Sequence, residues 1–588
     1  MALQELDVDL EQPEQPDPAR VVRGSRRSSA KSWARAVAFF LMVGVLTVGP
    51  ISFLVLSAFN TAPPGQPSNY GLENWPLALK DPALWDSLAS TFQLGLTRVP
   101  IALALAVALS WVIARTDMPG RRTLEVCLWF SVFIPGISVT LGWILLANAQ
   151  TGVLNTAIRK IPGFGGITEG PFNIFSFWGI NVAHLTTMVP VMSILLIPAF
   201  RRMDRALEEA AQVCGANKWR TAIIVTTPLM SPLIISTGLL GFIYSLNAFE
   251  IELLLGPQAD IQVFSTQIWL WLQGTPPQYG AAAVLGVLFI PMLIVLIILQ
   301  RYFIGRRSYV TVGSRSFSDV PVRLGPVGRW VVFGVVTLYW FITVLLPVSA
   351  VVVGSFMRRF GFFDIRDPFT TSTWRELFNS PRFTSSFVDS IQLGLASAVV
   401  GVVLYFLVAY FTERSGLPLR GGVEGMSWLP LAVPGLLLGF GLLWLSLVTP
   451  LRTVLYGTLA GLTVAIVIGY MAVGTQQMRA ALLQVSPDLD KAARIAGAGP
   501  SRAHWFITRP LLAPTIVAVG LLTFNSAVGN IGTVALLSSR EFRPMSLILL
   551  DYSTQGALEQ GAALGVVMCV LTVLVGVIGQ RVLGRRPS

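Results

Sequence analysis

Residues 207–216 read LEEAAQVCGA, and residues 489–498 read LDKAARIAGA. The two stretches lie 282 residues apart, and in each an Ala-Ala pair and a glycine keep the same distance from a downstream proline, which is Pro228 in the first copy and Pro510 in the second. Both are polar islands in a chain that is otherwise very apolar. A polar element that recurs between apolar runs indicates a duplicated architecture, with a candidate docking surface in each copy.

The composition around these islands is that of a membrane protein. Of the 588 residues, 53% are hydrophobic and 12% are charged, with a mean hydropathy of +0.67, whereas a soluble domain carries roughly 25% charged residues. Lipid offers no hydrogen-bond partners to the backbone, so membrane-crossing segments are expected to be helices. The sequence therefore predicts an all-α membrane protein with about 12 transmembrane helices, since each helix needs about 20 apolar residues. The apolar runs lie at about 36–58, 90–114, 126–148, 174–200, 232–256, 278–303, 329–355, 387–411, 426–448, 454–476, 513–537 and 560–583.

The duplication extends well beyond the polar islands. Residues 93–96 match residues 392–395, and residues 134–136 (IPG) match residues 433–435 (VPG), both with an offset of 299. An even number of spans in each copy keeps the two copies in the same orientation. We therefore predict two parallel six-span halves with a pathway between them, and we expect the proline in each IPG/VPG pair to kink its span.

The predicted domains follow from these runs. They are a disordered tail at 1–35, a first half at 36–300 with its core at about 89–300, a linker at 301–328, and a second half at 329–583 with its core at about 388–580. If the tail is cytoplasmic, alternation of sides places 30 of the 42 Lys and Arg residues inside and 11 outside, and leaves Arg98 within a span. This bias follows the positive-inside rule. It predicts that both termini and both polar islands are cytoplasmic, and it explains the net charge of +12 without nucleic-acid binding.

Each polar island is predicted to form a short helix, a bend and a re-entry into the membrane. In the first copy, small or apolar residues recur with helical spacing on one face, and polar residues occupy the other. The first set is Leu207, Ala210, Ala211 and Cys214, and the second is Glu208, Glu209 and Gln212. Gly215 can end the helix because glycine adopts left-handed backbone angles, and Pro228 suits the first turn of the next helix. The corresponding residues of the second copy are Asp490, Lys491, Ala492, Ala493, Gly497 and Pro510.

On these residues the chain resembles the type I permease subunits of bacterial ABC importers. Their signature is Glu-Ala-Ala, three residues, a Gly and a downstream apolar-Pro element, which Glu209, Ala210, Ala211, Gly215 and Pro228 match. The resemblance implies that each island is a coupling helix for a separate ATPase subunit. The implied partners are two copies of an ABC ATPase, an extracytoplasmic substrate-binding protein and membrane lipid. Lys491 stands where the signature has its Glu, which predicts unequal coupling at the two ATPases.

The fusion of two permease halves narrows the resemblance to the iron(III)-transport permease group. Two local features carry it, residues 135–136 (PG) and residues 249–256 (FEIELLLG). The resemblance implies a multi-pass protein of the bacterial inner membrane with iron(III) as the favoured substrate, and thiamine, polyamines, phosphonates, sulfate or molybdate as open alternatives. An ion- or proton-coupled secondary transporter with two parallel six-span halves is the alternative function.

No catalytic or metal site is predicted from the sequence. A phosphate-binding loop needs a Gly, four residues and then Gly-Lys-Ser/Thr, and none of the five lysines lies in such a frame. The His, Cys and carboxylate residues show no metal-site spacing. We therefore expect that the chain is not an enzyme, that it binds no cofactor, and that ATP is used by the partner subunit.

Polar side chains inside the predicted spans are candidate pathway residues, because charged groups in lipid are costly and mark functional sites by default. They are Arg98, His184, Asn247, Glu250, Glu252, Asn525 and Asn530. In the functional interpretation, Arg98 and the two glutamates line the pathway and pair with one another or with substrate. In the alternative, Arg98 snorkels or forms a structural pair, the glutamates lie at the outer water interface, and His184 and the asparagines make packing hydrogen bonds.

Overall fold

The computed structural model describes residues 30–62, 66–164, 166–203, 206–305, 322–497, 499, 506 and 508–584. Within these residues, nine helices are long and apolar enough to cross a membrane, and three bent helix pairs raise the number to twelve when each pair is taken as one span. The twelve spans are Ala30–Phe59, Pro82–Arg115, Arg121–Phe133 with Gly136–Ala147, Phe177–Arg202, Ala222–Leu246, Tyr279–Gly305, Pro326–Ser355, Pro381–Glu413, Arg420–Ala432 with Gly435–Val448, Leu459–Gly469 with Met471–Gln484, Arg509–Gly529 and Leu558–Gly584. We number them spans 1 to 12. The fold is therefore all-α, as predicted.

Short helices fill the connections between the spans. They are Asn74–Lys80, Val153–Arg159, Ala206–Val213, Lys218–Thr221, Glu250–Leu255, Pro257–Ala259, Phe264–Gln273, Ser372–Asn379, Arg452–Leu455, Pro487–Ile495 and Met545–Thr554. Most occur at matching places in the two halves, which is the duplication seen in the sequence.

Three spans are broken rather than continuous. Span 3 bends by 100° and span 9 by 108°. In both, the residue before the proline is extended (ψ 126° at Ile134 and 118° at Val433), because a proline ring disfavours helical angles in the residue that precedes it. The predicted kinks at Pro135 and Pro434 are thus present as full breaks. Span 10 also bends, by 60°, at Tyr470, which the sequence pattern did not predict.

Two predicted spans end earlier than their apolar runs. Span 5 ends at Leu246 and span 11 at Gly529, with Asn247 and Asn530 as the residues that follow. The predicted run at 232–256 is therefore wrong over its last ten residues, and residues 250–255 form a separate short helix. The placement of Glu250 and Glu252 inside the fifth span is corrected by this break. Hydropathy did not reveal it because the residues beyond the break are also apolar.

The termini and the linker differ from their predicted bounds. Span 1 begins at Ala30, so residues 30–35 of the predicted tail are helical, and residues 1–29 lie outside the described part of the chain. Span 6 continues to Gly305 and span 7 begins at Pro326. Between them, Val322 forms a parallel β-bridge with Thr116, at the end of span 2. The predicted linker is thus shortened at both ends and is attached to the first half.

The two halves interlock through their first spans. Span 1 packs against span 9 and span 7 against span 3, so each half contributes its first span to the other half. The contacts are very close, since a Cβ added to Gly142 would lie 2.0 Å from the Pro347 carbonyl oxygen, and one added to Gly441 would lie 2.2 Å from that of Pro50. The hydrophobic cluster around these contacts contains residues of both halves as a result.

Candidate functional site

The first polar island is a short helix that glycine terminates. The helix Ala206–Val213 is followed by Gly215, which has a φ of +89°. The amide of Gly215 donates to the Gln212 carbonyl (2.9 Å) and the amide of Ala216 to the Ala211 carbonyl (3.0 Å), which is how a left-handed residue closes a helix end. The chain then returns to span 5 through a π-helical turn, Ala222–Thr226, with Pro228 near the start of the α-helix that follows.

Glu208 fixes this loop to the end of span 2. Its carboxylate is buried, contacts the guanidinium of Arg115, and accepts a hydrogen bond of 2.8 Å from the hydroxyl of Thr226. Arg115 also donates to the carbonyl of Met203 (3.1 Å). The predicted division of the helix into faces is therefore wrong for Glu208, which faces the protein, while Glu209 and Ala210 are exposed. Arg115 and Arg414 correspond at the offset of 299. This match was the sequence signal that each loop has an arginine beside it.

The second island has the same shape. The helix Pro487–Ile495 ends before Gly497, which has a φ of +82°. Ala492 is exposed, Ala493 is buried, and Arg414 donates to the carbonyls of Leu482 (2.9 Å) and Val485 just before the loop. Asp490 and Lys491 lie in this helix, but their side chains are outside the described part of the structure. Residues 506 and 508 are again π-helical, and Pro510 lies in the first turn of the following α-helix.

The two loops expose apolar side chains at the same positions. Val213 and Ile495, which correspond at the offset of 282, are each 88% exposed, and the corresponding residues Ile224 and Phe506 are also exposed. Apolar groups that recur on two matched, otherwise polar loops mark an interaction surface. Chain alternation through the spans places both loops at the same end of the helix bundle.

Each half also has an ion pair between its broken span and the span that follows it. Glu125 accepts from Arg201 (3.0 Å) in the first half. Glu424, which corresponds to Glu125 at the offset of 299, accepts from Arg479 (2.6 Å) in the second, and from Arg301 of span 6 (2.8 Å). The sequence analysis did not predict these ion pairs, although the match of Glu125 with Glu424 indicated a shared role for the two glutamates. They hold the inner parts of the broken spans at the loop end of the bundle.

Three of the candidate pathway residues form one buried charge cluster in the first half. Glu252 Oε1 lies 2.8 Å from Arg98 Nη1 and 2.7 Å from His184 Nε2. Arg98 is 1% exposed and Glu252 is fully buried. The three side chains come from span 2, span 4 and the short helix Glu250–Leu255. The cluster therefore ties that short helix to two spans.

Glu250 and the asparagines lie where the two halves meet. The Glu250 carboxylate lies near the backbone amide of Ile531 in the second half. Gly532 lies beside the ring of Phe249, and a Cβ added to Gly532 would be 3.7 Å from it. We call Phe249, Glu250, Ile531 and Gly532 the seam. These residues correspond in pairs at the offset of 282, so the seam lies at the pseudo-symmetry axis.

Asn525 and Asn530 make structural hydrogen bonds near the seam. Asn525 donates to the carbonyl of Val132 beside the break in span 3 (3.4 Å). Asn530 accepts from the amide of Thr533 (2.9 Å), which stabilises the turn after span 11. Asn247 follows the last residue of span 5. Among the described residues, no group of three His, Cys, Asp or Glu side chains could hold a metal ion.

Comparison with known proteins places the chain in a family. The family described as "Binding-protein-dependent transport system inner membrane component" matches twice, at residues 106–309 and 401–588. Together the two matches cover more than half of the chain.

Similar proteins cover most of the chain. The ferric transport system permease FbpB of Actinobacillus pleuropneumoniae is 24% identical over 82% of this chain and 68% of its own. A putative ferric transport system permease, FbpB 1 of Haemophilus influenzae, is 24% identical over 76% of this chain and 69% of its own. The probable ABC transporter permease y4fN of Sinorhizobium fredii is 25% identical over 86% of this chain and 88% of its own. The chain therefore belongs to the binding-protein-dependent transport system inner membrane components, the multi-pass membrane permeases of ABC importers, and carries the family's domain twice in one polypeptide.

Proposed function

We propose that this permease moves iron(III) inward by alternating access, with energy from two copies of an ABC ATPase docked on the loops at 206–216 and 487–497. An extracytoplasmic binding protein delivers the cation to the opposite end of the bundle. Both termini are cytoplasmic in this proposal, as the positive-inside bias of the sequence indicates. The chain itself supplies the pathway and the two docking surfaces, and ATP is used by the partner.

The observation that carries the docking proposal is the matched pair of loops. Both end at a left-handed glycine, both are held by an arginine at the end of a long span, and both expose an apolar residue at the tip, Val213 or Ile495. Burial of such a side chain by a partner contributes about 1.5–3 kcal/mol. Two equal sockets at one end of a two-fold bundle fit two copies of one partner.

Span 2 provides a route from the first loop to the seam. Arg115 holds Glu208 of the loop, and Arg98 holds Glu252 of the short helix that begins at the seam. Both arginines lie on the continuous helix Pro82–Arg115, about 25 Å apart at 1.5 Å per residue. A movement of the loop that shifts this helix would therefore move the seam. The breaks in spans 3 and 9, which bend by 100° and 108°, lie beside the seam.

The iron(III) cargo is supported by the similar proteins rather than by a site geometry. Two relatives that cover most of this chain are named as ferric transport permeases, and the match spans 68% and 69% of their own lengths. The cargo is tested by uptake of radioactive iron(III) into proteoliposomes that contain this chain, its ATPase and its binding protein. ATP-dependent uptake supports the proposal. Uptake of thiamine or a phosphonate in place of iron(III) would overturn the cargo and leave the permease role intact.

Docking is tested with charged substitutions at the loop tips. We expect Val213→Asp and Ile495→Asp each to lower the amount of ATPase that co-purifies, and the double variant to lower it at least tenfold. Ile161→Asp, at an apolar residue that is 51% exposed in a loop at the other end of the bundle, is the control and should change nothing. Full recovery of the ATPase with the double variant would contradict the docking assignment. Uptake by the isolated chain without any ATPase would favour a secondary transporter instead.

A further inference from the structure

Two glutamates on one short helix have opposite environments. Glu250 and Glu252 are two residues apart on the helix Glu250–Leu255, which places their side chains about 200° apart at 3.6 residues per turn. Glu252 points into the first half, where Arg98 and His184 hold its carboxylate. Glu250 must then point away from this cluster. The buried cluster therefore aims Glu250 at the seam.

Glu250 is half-buried beside the break in span 3. Its Oε2 lies beside Gly136, at 3.6 Å from where a Cβ on that glycine would be, and the backbone amide of Ile531 lies near its carboxylate. On the other side of the axis the corresponding residue is Gly532, which has no side chain to fill the space. The break in span 3 and the turn after span 11 thus border a carboxylate that comes from one half alone.

We propose that Glu250 is a one-sided cation-binding residue of the pathway, which contacts a hard trivalent cation as it passes the seam. Carboxylate oxygens suit hard cations. Glu252 cannot join it while Arg98 and His184 hold its carboxylate, so the site offers a single carboxylate and binds weakly. Weak binding is what a transport site needs, because the ion must leave as readily as it enters. This inference rests on the proposed function in one respect, since it requires that the transported solute is a cation.

Terbium(III) binding to the purified chain in detergent tests this directly. Trp269 packs against Phe249, with ring centroids 5.8 Å apart, so a terbium ion at Glu250 lies near an indole that can sensitise its emission. We expect saturable tryptophan-sensitised emission in the wild-type chain and in the control Glu541→Gln, an exposed carboxylate at the outer end of the second half. Glu250→Gln should weaken the terbium affinity at least tenfold, and Glu250→Asp should restore part of it. Equal affinities in the wild-type chain and Glu250→Gln, or no saturable emission in either, would overturn the proposal.

Uptake separates this inference from the proposed cargo. In proteoliposomes that take up iron(III), Glu250→Gln should lower the initial rate at least tenfold while ATP hydrolysis stays within twofold of the wild-type rate. Wild-type uptake by Glu250→Gln would overturn the role of Glu250 and leave the iron(III) proposal standing. Absence of iron(III) uptake by the wild-type chain would overturn the cargo alone, since the terbium measurement needs no cargo, ATPase or binding protein. Gel filtration of each variant verifies that it remains folded.

Discussion

The two halves of this permease differ at three matched core positions, which carry ionisable side chains in the first half and uncharged ones in the second. In the first half they hold Arg98, His184 and Glu252, and in the second half the residues at the matching offsets are Ser397, Ile466 and Val534. All three residues of the second set are buried. The fold therefore accepts either a charge cluster or a nearly apolar cluster at these positions. The difference indicates that packing at these positions does not require charged side chains. We infer that the charge cluster of the first half serves instead to position Glu250.

The largest expected effect comes from breaking the cluster. Glu252→Val, which copies one residue of the second half, leaves Arg98 buried without its carboxylate. Loss of one partner of a buried ion pair costs about 3–5 kcal/mol, so the thermal unfolding midpoint in detergent should fall sharply. Transplanting the whole second-half set, as Arg98→Ser with His184→Ile and Glu252→Val, should recover most of the loss, because apolar replacements of buried ion pairs are often neutral or stabilising.

The triple variant also separates stability from function. If the charges serve only to stabilise the first half, the triple variant should transport normally once it is stable. We expect instead that it folds but transports poorly, since Glu250 is no longer aimed at the seam. A triple variant as unstable as Glu252→Val would show that the two halves are not interchangeable at these positions.

The second prediction concerns a feature that the halves share. Gly142→Ala and Gly441→Ala each place a methyl group about 2 Å from a backbone carbonyl of the other half's first span. Overpacking of this kind costs about 1–3 kcal/mol, and the two losses of unfolding free energy should be similar. Gly334→Ala is the control, since nothing lies within 4 Å of its added Cβ, and it should stabilise the helix by about 0.5–1 kcal/mol. Unequal losses at Gly142 and Gly441 would show that the interlock is not symmetric.

The third prediction concerns the loop glycines. An alanine at Gly215 or Gly497 must adopt a left-handed conformation, which costs roughly 1–2 kcal/mol, and we expect the loop to change shape rather than bear this cost. The double variant Gly215→Ala/Gly497→Ala should hydrolyse ATP with its partner while uptake falls at least fivefold. Normal coupled uptake by the double variant would refute the coupling assignment. Gly416→Ala, at a left-handed glycine (φ +60°) between spans 8 and 9, controls for backbone strain alone.

The sequence predicted the repeated architecture better than the contacts within it. Hydrophobic runs, the IPG/VPG pairs and the two loop motifs indicated twelve spans and two broken ones. The ends of spans 5 and 11 were wrong, because the segments that follow Asn247 and Asn530 are as apolar as the spans themselves. The placement of Glu208 on the polar, outward-facing side of the helix was also wrong. Helical periodicity assigns a glutamate to that face and carries no information about Arg115, which lies 93 residues away. Pairs between distant segments are set by packing, which local patterns do not encode.

The smallest expected effect comes from the charge difference at the signature position of the loop motifs, where Glu209 corresponds to Lys491. Lys491→Glu gives the second loop the signature residue of the first, and Glu209→Lys gives the first loop the residue of the second. Exposed charges contribute about 0–1 kcal/mol to an interaction, so each exchange should change the affinity for the ATPase by about fivefold at most, with opposite signs. Titration of the ATPase against detergent-solubilised permease at low and high salt measures this, because screening should remove the difference. If both exchanges weaken binding, the two loops have diverged to fit two different surfaces, and the two docking surfaces are not equivalent at this position.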